Sequence, residues 1–442
     1  AISMVPKELP PQQPKEEKVV EALRGLVQSK ANAENIASQL PDVLSVAVEK
    51  SSRLMAEDLC REAGFMLPQS SNTRSFLESI KMYPGIPVDA VESLLKNIQF
   101  NEKMEEKKME MIKFNEQEKI DSVNGALALR PQINEIVDEI CERGYSNICW
   151  LGVGGTWASA MQATVHMKEM SAIETWAENA AEYLTTGNKR ITKDTVVIIS
   201  SVTGNTKEVV DAIKKIKAEV GSTVISFVDA KEAILLDLGD YKISYPVNEQ
   251  LKFFMVADRF MFNNGELEDY EDMYAEFDKY LAEALVEVEK KAEPFAVEFA
   301  KKHWNDEMHY FVGAGNQWGA TYSYAMCYWE EQLWLKTKSI TSNEFFHGMF
   351  EIVTKETPVT IYIGEDAQRP LSERVANFIP RICENYTIID SKDYELKGIS
   401  EKYRKHLSHH VMHAVNNRID VHMEIETRHP MEIRRYYRRL EY

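Results

Sequence analysis

The sequence predicts an α/β fold of two tandem units, each built on a parallel sheet, behind a small all-α region. Two observations predict the sheets. Apolar segments of strand length alternate with helical segments from Ser146 to Asp229, and the same alternation starts again at Met308. Strands that alternate with helices form parallel sheets that helices cover on both faces. The length of 442 residues leaves room for two or three domains.

The first 110 residues have a different pattern. Four prolines among charged residues predict a flexible arm over residues 1–18. From residue 19 to residue 110, short amphipathic segments interrupted by prolines predict an all-α accessory or fusion domain. This segment carries no glycine turn or paired titratable cluster, so a scaffold or assembly role is the expectation for it.

The α/β part is predicted to begin at Met111. Its first unit spans residues 111–265, with strands expected in SNICWLGVGG, DTVVIISSVTGNT and STVISFVD. An acidic helical connector opens the second unit, which spans residues 266–442 and ends in a carboxy-terminal tail. The strands of this unit are expected in MHYFVGAGNQWG, TPVTIYIG and NYTIIDS.

Composition narrows the range of partners and cofactors. Acidic residues outnumber basic ones by 70 to 52, which argues against nucleic acid as a partner. The five cysteines lack the spacing of a disulfide framework or a metal site, so we expect neither. No apolar run is long enough to cross a membrane and no leader is visible, so the expected compartment is the cytoplasm.

Two turns in the first unit carry groups that could bind an anion. Gly155 and Thr156 lie where a strand ends and a helix begins, so backbone N–H groups would face a ligand. Alone, this turn is as compatible with an ordinary tight connection. At the end of the next strand, Ser201, Thr203 and Thr206 add three hydroxyl groups around a glycine. Such a turn suits a phosphate, whereas the missing Walker lysine disfavours nucleotide hydrolysis.

The second unit carries two candidates for acid–base chemistry. Glu331 falls on the apolar stripe of a helix predicted after Gly319, and a buried carboxylate needs a partner or a raised pKa. A paired structural glutamate is the alternative. His347 follows in a predicted loop, and an isolated histidine is more often structural than catalytic.

The spacing from Glu331 to His347 and the segment NEFFHG resemble the SIS (sugar isomerase) domain family. Within it, they resemble the phosphosugar deglycases and the isomerase part of glucosamine-6-phosphate synthase. The closing segment HPMEIRRYYRRLEY resembles the carboxyl terminus of the fructosamine-type deglycases. The resemblance covers about Met111 to Tyr442 and implies two tandem SIS domains with flavodoxin-like sheets.

The resemblance also implies roles for these residues. Glu331 would carry the proton, and His347 would open the sugar ring or protonate an oxygen, in a homodimer with shared active sites. No metal or organic cofactor is implied. The substrate phosphate would be held by Gly155, Thr156, Ser201, Thr203 and Thr206.

Three further residues are possible substrate contacts. Glu344 could orient His347 or contact the amino-acid part of a substrate, although a solvated carboxylate is the more common case. Counted from Pro430, Arg435 stands where the synthase has a lysine that forms a Schiff base, and arginine is a poor nucleophile. Arg434 and Arg435 could instead bind a substrate carboxylate, with a merely solvated tail as the alternative.

The predicted function is a deglycase that hydrolyses fructoselysine 6-phosphate or glucoselysine 6-phosphate. The products would be a sugar 6-phosphate and the free amino acid, released through enaminol and imine intermediates. An aldose–ketose or aminosugar-phosphate isomerase would use the same carboxylate and keep the nitrogen. A sensor that binds a sugar phosphate without chemistry is the third interpretation.

Overall fold

The computed structural model describes residues 52–57, 77–78, 80–81, 88–96 and 111–441. The chain divides into two units, residues 1–110 and residues 111–442. The described residues of the first unit are helical apart from a turn at residue 81. The arm predicted for residues 1–18 and most of the all-α domain predicted for residues 19–110 lie outside the described residues.

Two helices, α1 (Glu116–Leu127) and α2 (Arg130–Arg143), precede the first sheet. α1 begins after Asn115, whose side-chain oxygen accepts a hydrogen bond from the N–H of Glu118. α2 begins with a proline in its first turn, where no N–H is needed. Both helices bury apolar side chains in the main core of the α/β unit.

The first sheet has five parallel strands and helices that connect them. The apolar runs of the sequence are explained by burial, because β1 and β3 are buried along their whole length. The strands are β1 (Asn147–Gly152), β2 (Thr175–Asn179), β3 (Thr195–Ser201), β4 (Thr223–Val228) and β5 (Tyr241–Ser244). The helices are α3 (Gly155–Met170), α4 (Ala180–Thr186), α5 (Lys207–Glu219), α6 (Ile234–Leu238) and α7 (Glu249–Asn263).

The strand order of this sheet is β2-β1-β3-β4-β5. β1 pairs with β2 through Ile148 and Thr175 and with β3 through Ile148 and Val196. The chain therefore winds in opposite directions on the two sides of the β1–β3 pair. In open parallel sheets, this reversal leaves a crevice at the carboxyl ends of the two strands, where ligands bind.

The second sheet repeats this order with four parallel strands, β7-β6-β8-β9. The strands are β6 (His309–Gly313), β7 (Thr337–Thr341), β8 (Val359–Ile363) and β9 (Tyr386–Asp390). The α-helices are α8 (Tyr270–Glu276), α9 (Ala282–His303), α10 (Asn316–Ser323), α11 (Arg369–Phe378), α12 (Glu401–Arg404) and α13 (Ser408–Thr427). Phe277–Leu281 and Tyr324–Glu330 are π-helical, and Met349–Ile352, Ile379–Arg381 and Ser391–Asp393 are 3-10 turns.

The two halves of residues 111–441 share one core. α3 of the first half packs on α10 of the second so closely that a Cβ atom at Gly319 would lie 2.4 Å from the Ala158 carbonyl oxygen. Within the second half, α9 and α13 pack together, and Arg418 on α13 forms a buried ion pair with Glu293 on α9 at 2.5 Å. The contact between α3 and α10 is therefore one place where the two halves meet.

The predicted α/β class with two parallel sheets is confirmed. The boundary predicted between residues 265 and 266 stays a prediction, because both halves belong to one unit. In the described residues, no helix is long and apolar enough to cross a lipid bilayer.

Candidate active site

The first component of the candidate site is the turn after β1. The backbone turns at Gly154 with a φ of +62°, which side chains rarely allow, and α3 starts at the next residue. A Cβ atom at Gly154 would meet no atom within 4 Å, so this face of the turn is open. The Thr156 hydroxyl is used inside the turn, since it accepts from the Val153 N–H and donates to the Val153 carbonyl. The turn therefore offers an anion its backbone N–H groups.

The second component is the hydroxyl-rich turn after β3, the neighbouring strand. Ser201 Oγ accepts a hydrogen bond from the Gly204 N–H at 2.9 Å and lies 3.3 Å from Thr206 Oγ1. Gly204 has a φ of +67°, and a Cβ atom there would lie 2.3 Å from Ala233 Cβ. The Thr203 hydroxyl accepts from the Asn205 N–H at 3.4 Å. Because β1 and β3 are adjacent, this turn lies beside the open one.

The second half has the corresponding turn, but a side chain fills it. After β6, Gly315 has a φ of +59°, close to that of Gly154, and α10 starts at Asn316. The Asp366 carboxylate lies in the turn and accepts from the Asn316 N–H at 2.8 Å. A Cβ atom at Gly315 would be 2.2 Å from Asp366 Oδ1. A carboxylate thus fills the second turn, whereas in the first turn the Gly155 N–H faces the Cys327 thiol.

Glu331 lies at the end of a π-helical segment, and this differs from the prediction of a regular helix. α10 ends at Ser323, and the wider π turn of Tyr324–Glu330 shifts the residues that follow away from the predicted stripe. The side chain of Glu331 is consequently half-buried, with 27% of its surface exposed. Its Oε1 accepts a hydrogen bond from Arg434 Nε at 2.8 Å, so a tail residue pairs with the candidate base.

Cys327 connects the two halves of the site. A Cβ atom at Gly155, in the anion turn, would lie 3.4 Å from Cys327 Sγ. Burial is the main cause that raises the pKa of the Cys327 thiol, to about 11, and the charges of Glu331 and Glu249 act in the same direction. This keeps the thiol neutral. The anion turn of the first half and the π-helical segment that ends before Glu331 therefore meet at Cys327.

In the described residues, no hydrogen bond or ion pair joins His347 to Glu331 within one chain. His347 and Glu344 are exposed on the turn that follows β7, and the His347 N–H donates to the Glu344 carbonyl at 2.9 Å. Among the described residues, the His347 ring makes no hydrogen bond or ion pair. Arg435 does not contact Glu331 either; its guanidinium lies over the Trp334 ring at 4.3 Å. The roles predicted for these three residues stay predictions.

Sequence reasoning named Arg434 without its contact to Glu331 and did not name Glu249. Arg434, rather than Arg435, reaches Glu331, and counting along the tail could not separate the two. Glu249, the first residue of α7, is half-buried. Burial raises the pKa of the Glu249 carboxyl, while the Ser159 and Ser200 hydroxyls act to lower it. The only signal in the sequence is an acidic residue shortly after the last strand of the sheet.

In the described residues, one group has side chains of the types that bind metals. The Nδ1 atoms of His303 and His309 lie 2.7 and 2.8 Å from the same oxygen of Asp306. These are hydrogen-bond distances, and His309 Nε2 is paired with Thr360 Oγ1 at 2.8 Å. The group lies at the amino end of β6, whereas the candidate site lies at carboxyl ends of strands. It joins the end of α9 to β6 through hydrogen bonds.

The first half of the α/β unit matches a known family model. Residues 144–258, which include β1, both turns and Glu249, match the SIS domain. The chain is 24% identical over 323 residues to fructosamine deglycase FrlB of Bacillus subtilis, covering 70% of this chain and 97% of that protein. It is 24% identical over 315 residues to fructoselysine 6-phosphate deglycase of Escherichia coli, covering 70% and 90%. These relatives are enzymes, as predicted for this chain.

Solved structures share the fold. A Bacillus subtilis protein described as a phosphosugar isomerase aligns with a TM-score of 0.68 and 23% identity, over 72% of this chain and 99% of that chain. The carboxy-terminal domain of glucosamine-fructose-6-phosphate aminotransferase from Francisella tularensis aligns with a TM-score of 0.60 and 12% identity, over 72% and 95%. Residues 144–258 thus match the SIS domain, and the predicted resemblance of the α/β unit to the SIS-domain phosphosugar deglycases is confirmed.

Proposed function

We propose that the α/β unit is a phosphosugar deglycase. Its substrate is a 6-phosphorylated sugar–amino acid conjugate, fructoselysine 6-phosphate or glucoselysine 6-phosphate, and its products are a sugar 6-phosphate and the free amino acid. The observation that carries this proposal is the meeting of the two halves at Cys327. The anion turn and the hydroxyl turn of the first half lie at neighbouring strand ends, and the anion turn packs against Cys327 in the segment that ends before Glu331.

The substrate phosphate binds at the two turns after β1 and β3. The N–H groups at the start of α3 carry the positive end of the helix dipole, and the hydroxyls of Ser201, Thr203 and Thr206 lie beside them. The corresponding turn in the second half supports this placement, because a carboxylate occupies it. The Asp366 carboxylate of the protein itself binds in the second turn, and the substrate phosphate binds in the first.

Glu331 moves the proton. In fructoselysine 6-phosphate, the carboxylate takes a proton from C1 to form an enaminol and returns it to C2, which leaves an imine between C1 and the amine nitrogen. Water adds to C1, and the carbon–nitrogen bond breaks to give glucose 6-phosphate and lysine. One carboxylate that accepts and returns a proton serves both carbon atoms, while the C2 oxygen takes its proton from a second acid when the enaminol forms. Arg434 holds Glu331 in place before the substrate binds.

His347 acts from a second copy of the chain. Its ring is exposed on the turn after β7, and among the described residues no hydrogen bond or ion pair joins it to Glu331 of its own chain. A homodimer in which each subunit lends its His347 to the partner's cleft would supply the missing acid and a donor for the oxygen of the intermediate.

The free thiols of Cys141, Cys149, Cys327 and Cys383 suit the cytoplasm, where cysteines stay reduced.

The test is product analysis with matched variants. The full chain is incubated with fructoselysine 6-phosphate and with glucoselysine 6-phosphate, and free lysine and sugar 6-phosphate are measured. We expect lysine release, with a loss of at least about 100-fold in Glu331→Gln and in His347→Ala. Glu330→Gln, which changes the neighbouring exposed glutamate, is the control and should keep its activity.

Other outcomes would replace the proposal. An isomerised product that retains its nitrogen would identify an isomerase. Thermal stabilisation by the phosphosugars without any product would identify a sensor. Full activity in Glu331→Gln would show that another residue moves the proton.

A further inference from the structure

The tail residue Arg434 carries a guanidinium that Glu331 engages only in part. Arg434 Nε donates to Glu331 Oε1 at 2.8 Å. Arg434 Nη1 donates to the backbone carbonyls of Met431 and Ile433, to the second of them at 3.4 Å. Among the residues that the structure describes, Arg434 Nη2 and Glu331 Oε2 make no hydrogen bond. A guanidinium binds a carboxylate most strongly through two parallel N–H groups, so the edge formed by Nε and Nη2 is only half used.

The tail holds this guanidinium by contacts that do not involve Glu331. The two carbonyl groups that accept from Nη1 belong to the same turn as Arg434. The His429 ring, before Arg434 in the chain, lies 4.1 Å from the Trp334 ring. The Arg435 guanidinium, after it, lies 4.3 Å from the same ring. Arg434 is therefore kept in this place even when Glu331 turns away from it.

The ion pair itself is weak enough to exchange. Of the two side chains, 22% of the Arg434 surface and 27% of the Glu331 surface are exposed. Partly exposed ion pairs contribute little to stability, because water competes for both charges. A second carboxylate that engages both Nε and Nη2 therefore replaces Glu331 at a small cost.

We propose that Arg434 binds the carboxylate of the amino-acid part of the substrate, through Nε and Nη2, in exchange for Glu331. This inference rests on the deglycase function proposed above, and it adds the recognition of the amino acid to that site. The exchange also releases Glu331 Oε1 from its hydrogen bond when the substrate is bound. Arg434 thus positions the base in the empty site and selects the substrate in the occupied one.

The place of Arg434 beside the base decides which conjugates fit. Glu331 has to lie about 3–3.5 Å from C1 of the sugar to take its proton. Arg434 Nη2 is bonded to the same carbon atom as the Nε that contacts Glu331, so a carboxylate bound there lies near C1. In a conjugate of an α-amino group, the carboxylate carbon is three bonds from C1. In a conjugate of the lysine ε-amino group it is seven bonds away, so the site selects conjugates of the α-amino group.

Two isomers of one substrate test this selection. Nα-fructoselysine 6-phosphate and Nε-fructoselysine 6-phosphate have the same atoms, the same phosphate and the same products. For the full-length parent, Arg434→Gln and Arg434→Lys, kcat/KM is measured for each isomer from the lysine released. Arg439→Gln is the matched control, since Arg439 is an exposed arginine of the same tail. The ratio of the two kcat/KM values does not depend on the fraction of folded enzyme.

We expect the parent and Arg439→Gln to prefer the α-isomer by about 10- to 100-fold, as for hydrogen bonds between charged groups. Arg434→Gln should use both isomers about equally. Arg434→Lys keeps the charge without the two parallel N–H groups, so it should retain only a small part of the preference. Equal kcat/KM values in the parent, or a preference that survives in Arg434→Gln, would overturn the inference.

A binding measurement covers variants that turn over too slowly. Reduction of the sugar ketone converts each isomer to an unreactive polyol, whose dissociation constant is measured by 31P NMR titration. The parent should bind the reduced α-isomer about 10- to 100-fold more tightly than the reduced ε-isomer, and Arg434→Gln should bind both alike. Equal binding in the parent would contradict the role of Arg434.

The two measurements separate this inference from the proposed reaction. A parent that prefers the reduced α-isomer but releases no lysine from either conjugate would contradict the deglycase proposal and leave the role of Arg434 intact. A parent that releases lysine faster from the ε-isomer would overturn the inference and support the deglycase proposal. A parent that neither binds nor converts either isomer would overturn both.

Discussion

Asp420 is predicted to make the stability of the α/β unit depend on pH. It is buried on α13, and the Tyr324 hydroxyl donates to its Oδ1 at 2.8 Å. Burial raises the pKa of the Asp420 carboxyl to about 8, against the opposing effect of that hydrogen bond. Tyr324 is the first residue of the π-helical segment that ends before Glu331, so this contact anchors the segment that carries the candidate base.

The direction of this pH effect follows from comparing the pKa of Asp420 in the folded and the unfolded chain. In the unfolded chain an aspartate has a pKa of about 3.9, so it is charged at neutral pH, whereas the folded protein keeps it protonated up to about pH 8. The stability that this group contributes is complete below about pH 4 and is lost as the pH rises to about 8. At about 1.4 kcal/mol per pH unit, the loss between pH 6 and pH 8 is about 2 kcal/mol.

Asp420→Asn removes the titrating group and keeps the shape and an acceptor for Tyr324. The melting temperatures of the parent and the variant are compared at pH 6 and pH 8 by differential scanning fluorimetry. The parent should lose about 3 °C more than the variant over this range. Asp272→Asn, on the exposed face of α8, is the control and should follow the parent. If Asp420→Asn shows the same pH dependence as the parent, the carboxyl does not titrate in this range and the reasoning fails.

Three further changes test other parts of the structure. Mixing Glu331→Gln with His347→Ala should restore about a quarter of the parent activity if subunits share sites, because half of the random dimers then hold one intact site; no recovery would contradict a shared site. Gly154→Ala should cost about 1–3 kcal/mol through its positive φ and should weaken stabilisation by inorganic phosphate, as melting curves with and without phosphate would show. Arg434→Ala should change stability by less than about 1 kcal/mol, since the ion pair is partly exposed, and should lower kcat/KM at least about tenfold; unchanged kinetics would separate the tail from the site.

The strands were predictable because burial on both faces of a parallel sheet leaves a visible apolar run. The segments around Val197 and Ile361 are buried throughout, and both lie in predicted strands. The segment before Glu331 was predicted less well. Beyond Ser323 the helix widens to a π turn, so residues spaced for a regular helix no longer share one face. Periodicity alone does not reveal this change, because tertiary packing stabilises the π turn.

The carboxy-terminal tail shows a similar limit of prediction from sequence. Counting from Pro430 drew attention to Arg435, whereas the contact with Glu331 is made by Arg434. The tail is irregular after α13, so the direction of each side chain depends on local turns and on packing against Trp334. Sequence therefore indicated that an arginine of this pair was important, and only the structure assigns which one reaches the carboxylate.

The two halves also differ in a way that the sequence conceals. GVGG after β1 and GAGN after β6 are equivalent as motifs, and both turns have the positive φ that an anion-binding turn needs. What separates them is Asp366, which follows another strand and folds back into the second turn. A bound carboxylate there shows that the turn geometry accepts an anion, and it closes the second turn to a ligand. In the function proposed above, the two similar halves therefore provide one substrate site per chain, with the phosphate turn taken from the first half and the base from the second.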